Sequence, residues 1–169
     1  MSWTPDQLHK HPKAKDLLGV DAKASAQAMA EPPGELSFTV VGDPMGKPRM
    51  TQRDRWMQRP AVLRYRDYCD RIKEAAPNRV LTADVYAVAV MAYLAMPKSW
   101  SQKKQKQHCG QMHRTKPDWD NIGKAVCDAL FKDDSGIADG RTQKYWCVEG
   151  EQRTEVKISY LGNHEKSVL

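Results

Sequence analysis

Apolar residues along the chain recur at every second position in some stretches and at helical spacing in others, and these two periods place the elements. Leu36, Phe38 and Val40 alternate with Ser37 and Thr39, so 36–41 is expected to be a strand. Gly42-Asp43-Pro44 turns the chain, and a polar, basic stretch follows. Pro60 opens a helix through about Ala75, closed by Pro77-Asn78. From Val85 to Leu94 both alternating faces are apolar and valine recurs, which predicts a central strand covered on both sides. Met96-Pro97 stops it, and 99–110 is expected to hold a short basic helix. Ile122, Ala125, Val126, Ala129 and Leu130 fall at i, i+3, i+4, i+7 and i+8, one buried stripe on a helix from about Asn121 to Phe131. Two late strands, near 143–148 and 154–161, are expected to meet as a hairpin around Glu149-Gly150. In the second, Val156, Ile158 and Tyr160 alternate with Glu155, Lys157 and Ser159, so one face is wet. The sum is α/β: a single compact domain, with a mixed β-sheet packed by helices.

Composition changes this picture at the edges. With 169 residues, 40% of them hydrophobic, the chain is long enough for one domain with a real core. Residues 1–34 read as an N-terminal extension, partly helical or flexible. A capping box spans Thr4 to Gln7, Pro12 and Gly19 interrupt, and Pro32-Pro33-Gly34 marks a boundary before a domain at 35–169. No segment reaches the roughly 18 apolar residues of a membrane span. Cys69, Cys109, Cys127 and Cys147 form no C-x-x-C pair and no secretory leader opens the chain, so reduced thiols in a cytoplasm are expected. His108, Cys109 and His113 lack a fourth ligand at zinc spacing.

The net charge of +6 favours an acidic partner, and its distribution favours one more strongly. Nine basic residues lie between Pro44 and Lys73 against Asp54, Asp67 and Asp70, and six lie between Lys98 and Lys116 with no acid. Lys47, Arg49, Arg53, Arg55, Lys98, Lys103, Lys104, Lys106, Arg114 and Lys116 are the candidate phosphate contacts. The acids concentrate elsewhere. Asp118 and Asp120 precede the amphipathic stripe, and Asp133-Asp134 follows it. Pro117 biases Lys116 toward extended backbone, so Asp118 and Asp120 are expected on a short extended segment, pointing the same way, with Trp119 opposed. An N-cap role explains one acid of this set but not all four. Clustered carboxylates repel unless a cation sits among them, and hard oxygen ligands suit magnesium. Lys124, one turn beyond Asp120, is placed to neutralise charge developing on a phosphoryl oxygen, or else to pair with Asp128 on the helix surface.

These motifs together resemble the RusA family of Holliday-junction resolvases. Gly46-Lys47-Pro48-Arg49 resembles the family's basic segment, and Met96-Pro97-Lys98-Ser99-Trp100 resembles a stretch of its phage-type members. Lys116-Pro117-Asp118-x-Asp120-Asn121-x-x-Lys124-Ala125-x-x-Asp128-Ala129-Leu130, then Asp133-Asp134-Ser135-x-Ile137, follows the signature, and Lys144-Tyr145 resembles its late basic-aromatic pair. The resemblance covers about 36–161. It implies a homodimeric, magnesium-dependent endodeoxyribonuclease, with manganese as a substitute ion, that resolves four-way and other branched DNA by paired nicks. It carries over Asp118, Asp120 and Asp134 as metal ligands and Lys124 as the important lysine. The link between Leu130 and Asp133 is shorter than in many members, so Asp133 stays open as the alternate ligand. Gly123 inside the helix costs about 1 kcal/mol relative to Ala and suggests close approach of backbone or DNA. Two other classes compete: a non-catalytic branched-DNA-binding protein, which needs no acid cluster, and a metal-dependent phosphohydrolase, whose Asp-x-Asp usually follows an apolar strand.

Overall fold

The computed structural model describes residues 33–56 and 59–162, the side chain of Arg55 excepted. The chain divides into units 1–31 and 32–169, and the described residues lie in the second. The expectations for the N-terminal extension therefore fall almost wholly outside them. Gly34–Val41 (β1), Asp84–Ala95 (β2), Asp139–Cys147 (β3) and Arg153–Leu161 (β4) form one sheet, ordered β1-β4-β2-β3. Strand β4 pairs antiparallel with β1 and β2, whereas β3 runs parallel to β2. The sheet is mixed, as the pattern predicts. Among the described residues three α-helices accompany it: Pro60–Ala75 (α1), Gln102–His108 (α2) and Trp119–Leu130 (α3). No helix among the described residues is long and apolar enough to cross a membrane.

The expected hairpin does not form. Strands β3 and β4 flank β2 on opposite sides, so the link at 148–152 passes over its end instead of turning back on a neighbour. Two strand spacings, about 10 Å, are within reach of five residues. The physical reason lies in β2, whose residues from Val85 to Leu94 are all apolar or aromatic and claim an inner position. The polar start of β3, Asp139-Gly140-Arg141-Thr142, suits an edge, which is also why the strand begins four residues before the alternation announces it.

The expectation that β2 is covered on both faces is likewise corrected. Among the described residues, α1 and α3 pack on one face, where Val85, Val88, Val90 and Ala92 are buried. The register shifts between Val85 and Ala87, so a bulge at Tyr86 moves the buried set by one position. On the opposite face Ala87, Ala89, Met91 and Tyr93 are only half-buried. Long polar neighbours shade them: the Arg153 guanidinium lies 3.7 Å over the Tyr93 ring, which also stacks on Tyr145 at 5.5 Å. Among the described residues the apolar composition there goes with shading by neighbouring strands rather than with a second helical layer.

The helical stripe behaves as its spacing requires. Ile122, Ala125, Val126, Ala129 and Leu130 are all buried against Tyr65, Tyr68 and Ile72 of α1 and the sheet. The buried Tyr68 hydroxyl and Thr154 Oγ1 lie 2.7 Å apart and satisfy each other, which fastens α1 to β4. Gly123 explains how close α3 comes to β3: a Cβ there would sit 2.5 Å from Thr142 Oγ1. The short basic helix α2 buries nothing of its own. Trp100, just before it, holds it in place by packing on Trp146 (5.1 Å), His108 (4.9 Å) and the Lys104 ammonium (4.1 Å).

Candidate active site

Three pieces of backbone converge on the N-terminus of α3. After α2 the chain runs along the outer edge of β3: Gly110 N donates to Trp146 O, Trp146 N to Gln111 O, and His113 N to Lys144 O. His113 is buried against Trp146, ring centroids 3.9 Å apart. Burial, seconded by the nearby Lys144 ammonium, pushes the His113 pKa down, so the ring is neutral at pH 7. From the strand side, Lys144 Nζ donates to the carbonyls of Thr115 (2.5 Å) and Pro117 (2.6 Å), pinning the approach to the helix. From the other side Gly46-Lys47 docks, with Lys47 N donating to Asn121 O at 2.9 Å. A Cβ at Gly46 would meet Asn121 and Pro117 at 3.2 and 3.3 Å, so the residue admits this packing.

The helix starts two residues earlier than its apolar stripe suggests, and this changes the geometry of the acidic pair. Asp118 is the N-cap and Asp120 lies in the first turn, so the two do not share one extended segment. Yet the Asp118 carboxylate caps no amide. Lys144 lies within its electrostatic reach: burial lowers the Lys144 pKa and the Asp118 charge partly restores it. Asp120 meets Lys124 Nζ at 3.3 Å, an exposed contact one turn along the helix. The surface alternative for Lys124, pairing with Asp128, is not realised. Lys47 takes Asp128 instead at 2.6 Å, and the Tyr65 hydroxyl donates to it at 3.3 Å.

The later acids are not brought to this end of the helix. Twelve helical residues span about 18 Å, so Asp118–Asp120 and Asp133–Asp134 are held apart. The turn after α3 is fixed where it lies, by Ile137 N on Asp134 O and Ala138 N on Tyr86 O. Asp134 faces the other end of α3. Burial first, then the charges of Asp134 and Asp128, push the Cys127 thiol up to about 11. Asp133 is occupied locally, its Oδ1 accepting from Ser135 N at 3.0 Å, which lowers its pKa. Among the described residues no three His, Cys, Asp or Glu side chains are gathered closely enough to hold a metal. The convergence of acids from both ends of one helix, expected from their flanking positions, is not made within one chain. Asp118 and Asp120 remain a fitting partial set, because magnesium commonly takes one or two carboxylates and completes its shell with water and phosphate.

The basic candidates divide. Arg114 and Lys116 line the same open cavity of about 760 Å³ as Asp118 and Trp119. Neither pairs with an acid among the described residues. Arg49, Arg53, Lys103 and Lys106 are exposed. Lys98 pairs with Glu149 at 3.3 Å, and Lys104 lies on Trp100. The sequence reading missed Lys144 as the residue that fastens the site loop; its place in the late basic-aromatic pair was the available signal. The spacing left Trp119 either in the core or on a partner, and its 57% exposure removes the first.

Two open carboxylates at a helix start, with cations beside them, suit a site that handles phosphodiesters. The family model for endodeoxyribonuclease RusA matches residues 41–159, and the chain belongs to that family. It is also 36% identical over 137 residues to the uncharacterized protein YqaN of Bacillus subtilis (strain 168), an overlap of 73% of this chain and 94% of that one. Membership implies an endodeoxyribonuclease that binds branched DNA and resolves Holliday junctions.

Proposed function

We propose that this chain is a magnesium-dependent endodeoxyribonuclease that nicks four-way DNA junctions symmetrically as a homodimer. One observation carries the reading: Asp118 and Asp120 stand open at the start of α3, beside Arg114, Lys116, Lys124 and Lys144, inside the span matched to the family. Asp118 and Asp120 would hold the ion. Bound there, magnesium would supply Lewis acidity toward the scissile phosphoryl oxygen and a nucleophilic water at neutral pH, and manganese could take its place. Lys124 exchanges its Asp120 contact for the phosphoryl oxygen as charge develops. Arg114 and Lys116 hold flanking phosphates, so affinity falls steeply with salt. Lys144 keeps the 115–117 carbonyls in place and thereby aims Asp118.

Asp134, rather than the locally occupied Asp133, supplies the third carboxylate, and it does so from a second copy of the chain. Two α3 helices running antiparallel about a two-fold axis would bring one copy's C-terminal turn to the other's N-terminus. The same symmetry presents two sites to two strands, as paired nicks need. The test is cleavage of a synthetic four-way junction and of the same sequence as linear duplex, with and without magnesium. Nicking restricted to the junction and dependent on the ion is expected. Junction binding without cleavage under any divalent ion would leave a non-catalytic branched-DNA-binding protein.

A further inference from the structure

Trp119 sits between the two candidate metal ligands, yet its side chain is 57% exposed. A large indole at the first position of a helix is ordinarily buried on one side. Here two open concavities flank it. One is the cavity shared with Arg114, Lys116 and Asp118, and the other, of about 150 Å³, is a groove that runs along α3 past Gly123 and Lys124 toward Cys127. Gly123 and Thr142 line this groove together, and a Cβ at Gly123 would meet Thr142 Oγ1 at 2.5 Å. Met112, 64% exposed, adds a second apolar wall to the larger cavity. The indole is thus a partition with accessible surface toward both sides, rimmed by cations and within one residue of each carboxylate.

We infer that Trp119 is a stacking wedge: it takes the face of a nucleobase unstacked at a branch point, while Arg114 and Lys116 hold that nucleotide's phosphates. The inference rests on the nuclease reading for its substrate and deepens it by naming the residue that selects branched over linear DNA. An aromatic face accepts any base, and unstacking costs least where the duplex is already interrupted. Linear duplex offers no free base face, so the contact is available to a junction alone. The cavity that Trp119 shares with Arg114 and Lys116 carries the charge that fits a nucleic acid, so this face of the indole is the one turned to DNA.

The experiment compares Trp119→Ala and Trp119→Phe with wild type, using the full chain, a synthetic four-way junction and a linear duplex. Binding is measured over a salt series in calcium, and nicking is measured in magnesium. Trp119→Ala is expected to weaken junction binding by about five- to a hundred-fold, the range for losing one base stack, with duplex binding unchanged. The slope of log affinity against log salt stays at the wild-type value, since no phosphate contact is lost, and Trp119→Phe recovers most of the loss. Equal loss on junction and duplex, an unchanged junction preference, or a shift in the monomer–dimer balance of Trp119→Ala would each overturn the wedge. Failure of the nuclease reading looks different: wild type would not nick in magnesium, while the binding arm would still report on Trp119.

Discussion

Two carboxylate sites in this molecule, one a lone aspartate and the other a pair, are finished in opposite ways. Asp54 is 5% exposed and saturated: it accepts from Thr51 N at 2.6 Å, from Thr51 Oγ1 at 3.0 Å and from two guanidinium nitrogens of Arg59. The Arg59 and Thr51 hydrogen bonds hold its pKa far below the usual carboxylate range. Asp118 and Asp120 have no such shell. One caps nothing, and the other shares a 3.3 Å contact with an exposed lysine. A carboxylate whose oxygens are engaged this way serves the chain around it, here by tying Thr51 to Arg59. A carboxylate left open at a helix start, among cations, keeps its oxygens available for an ion.

Exchanging charge for amide at each site separates these roles most sharply. Asp120→Asn is expected to cut junction nicking more than about a hundredfold while junction binding persists, since a metal ligand should matter at least as much as the outer-shell groups that tune one. Asp54→Asn is expected to lower the thermal unfolding midpoint and leave nicking by the folded protein close to wild type. Near-wild-type nicking by Asp120→Asn would erase the contrast. Mixed subunits come next. Asp120→Asn and Asp134→Asn, each inactive alone, should regain nicking of one strand when co-assembled, because the hybrid dimer holds one intact composite site. No recovery in a verified hybrid would place Asp134 outside its neighbour's site.

A smaller effect tests the packing that supports the open pair. Gly123→Ala must push against Thr142 and should cost about 1–3 kcal/mol in denaturant unfolding, despite the better helix propensity of alanine. Stabilisation would show that the close approach of α3 to β3 is not required. Last is pH. His113 has a folded pKa below its unfolded value near 6.5, so the unfolded chain binds the proton first. Stability should therefore decline as pH falls below about 6.5 and level off beneath the folded value. In His113→Phe that part of the decline should vanish, which thermal melts between pH 7.5 and 5 would register.

What was legible in the sequence is what short-range periodicity encodes. The Ile122–Leu130 stripe and the wet and dry faces of β4 needed only spacing, and the Asp118–Lys124 motif needed only residue identity. Strand order was hidden, because nothing in Glu149-Gly150 distinguishes a hairpin turn from a link over the end of β2. The Tyr86 bulge was hidden too: in an all-apolar strand, a one-residue slip leaves no break in pattern. The separation of the two acid pairs is simple helix length once Trp119–Leu130 is known, but acids on both sides of one apolar stripe read as neighbours when their positions are compared without that length.

The strip from Gly110 to His113 has a further consequence. By hydrogen bonding to Trp146 and Lys144 it occupies the outer rim of β3 where that strand nears the start of α3. Exposed rims of sheets invite strangers, since their free amides and carbonyls accept any extended peptide. Here the half of the rim nearest the start of α3 is covered, and the charged Arg141 guards the remainder. The edge of the sheet beside the two open carboxylates is thereby kept from zipping onto a neighbouring chain.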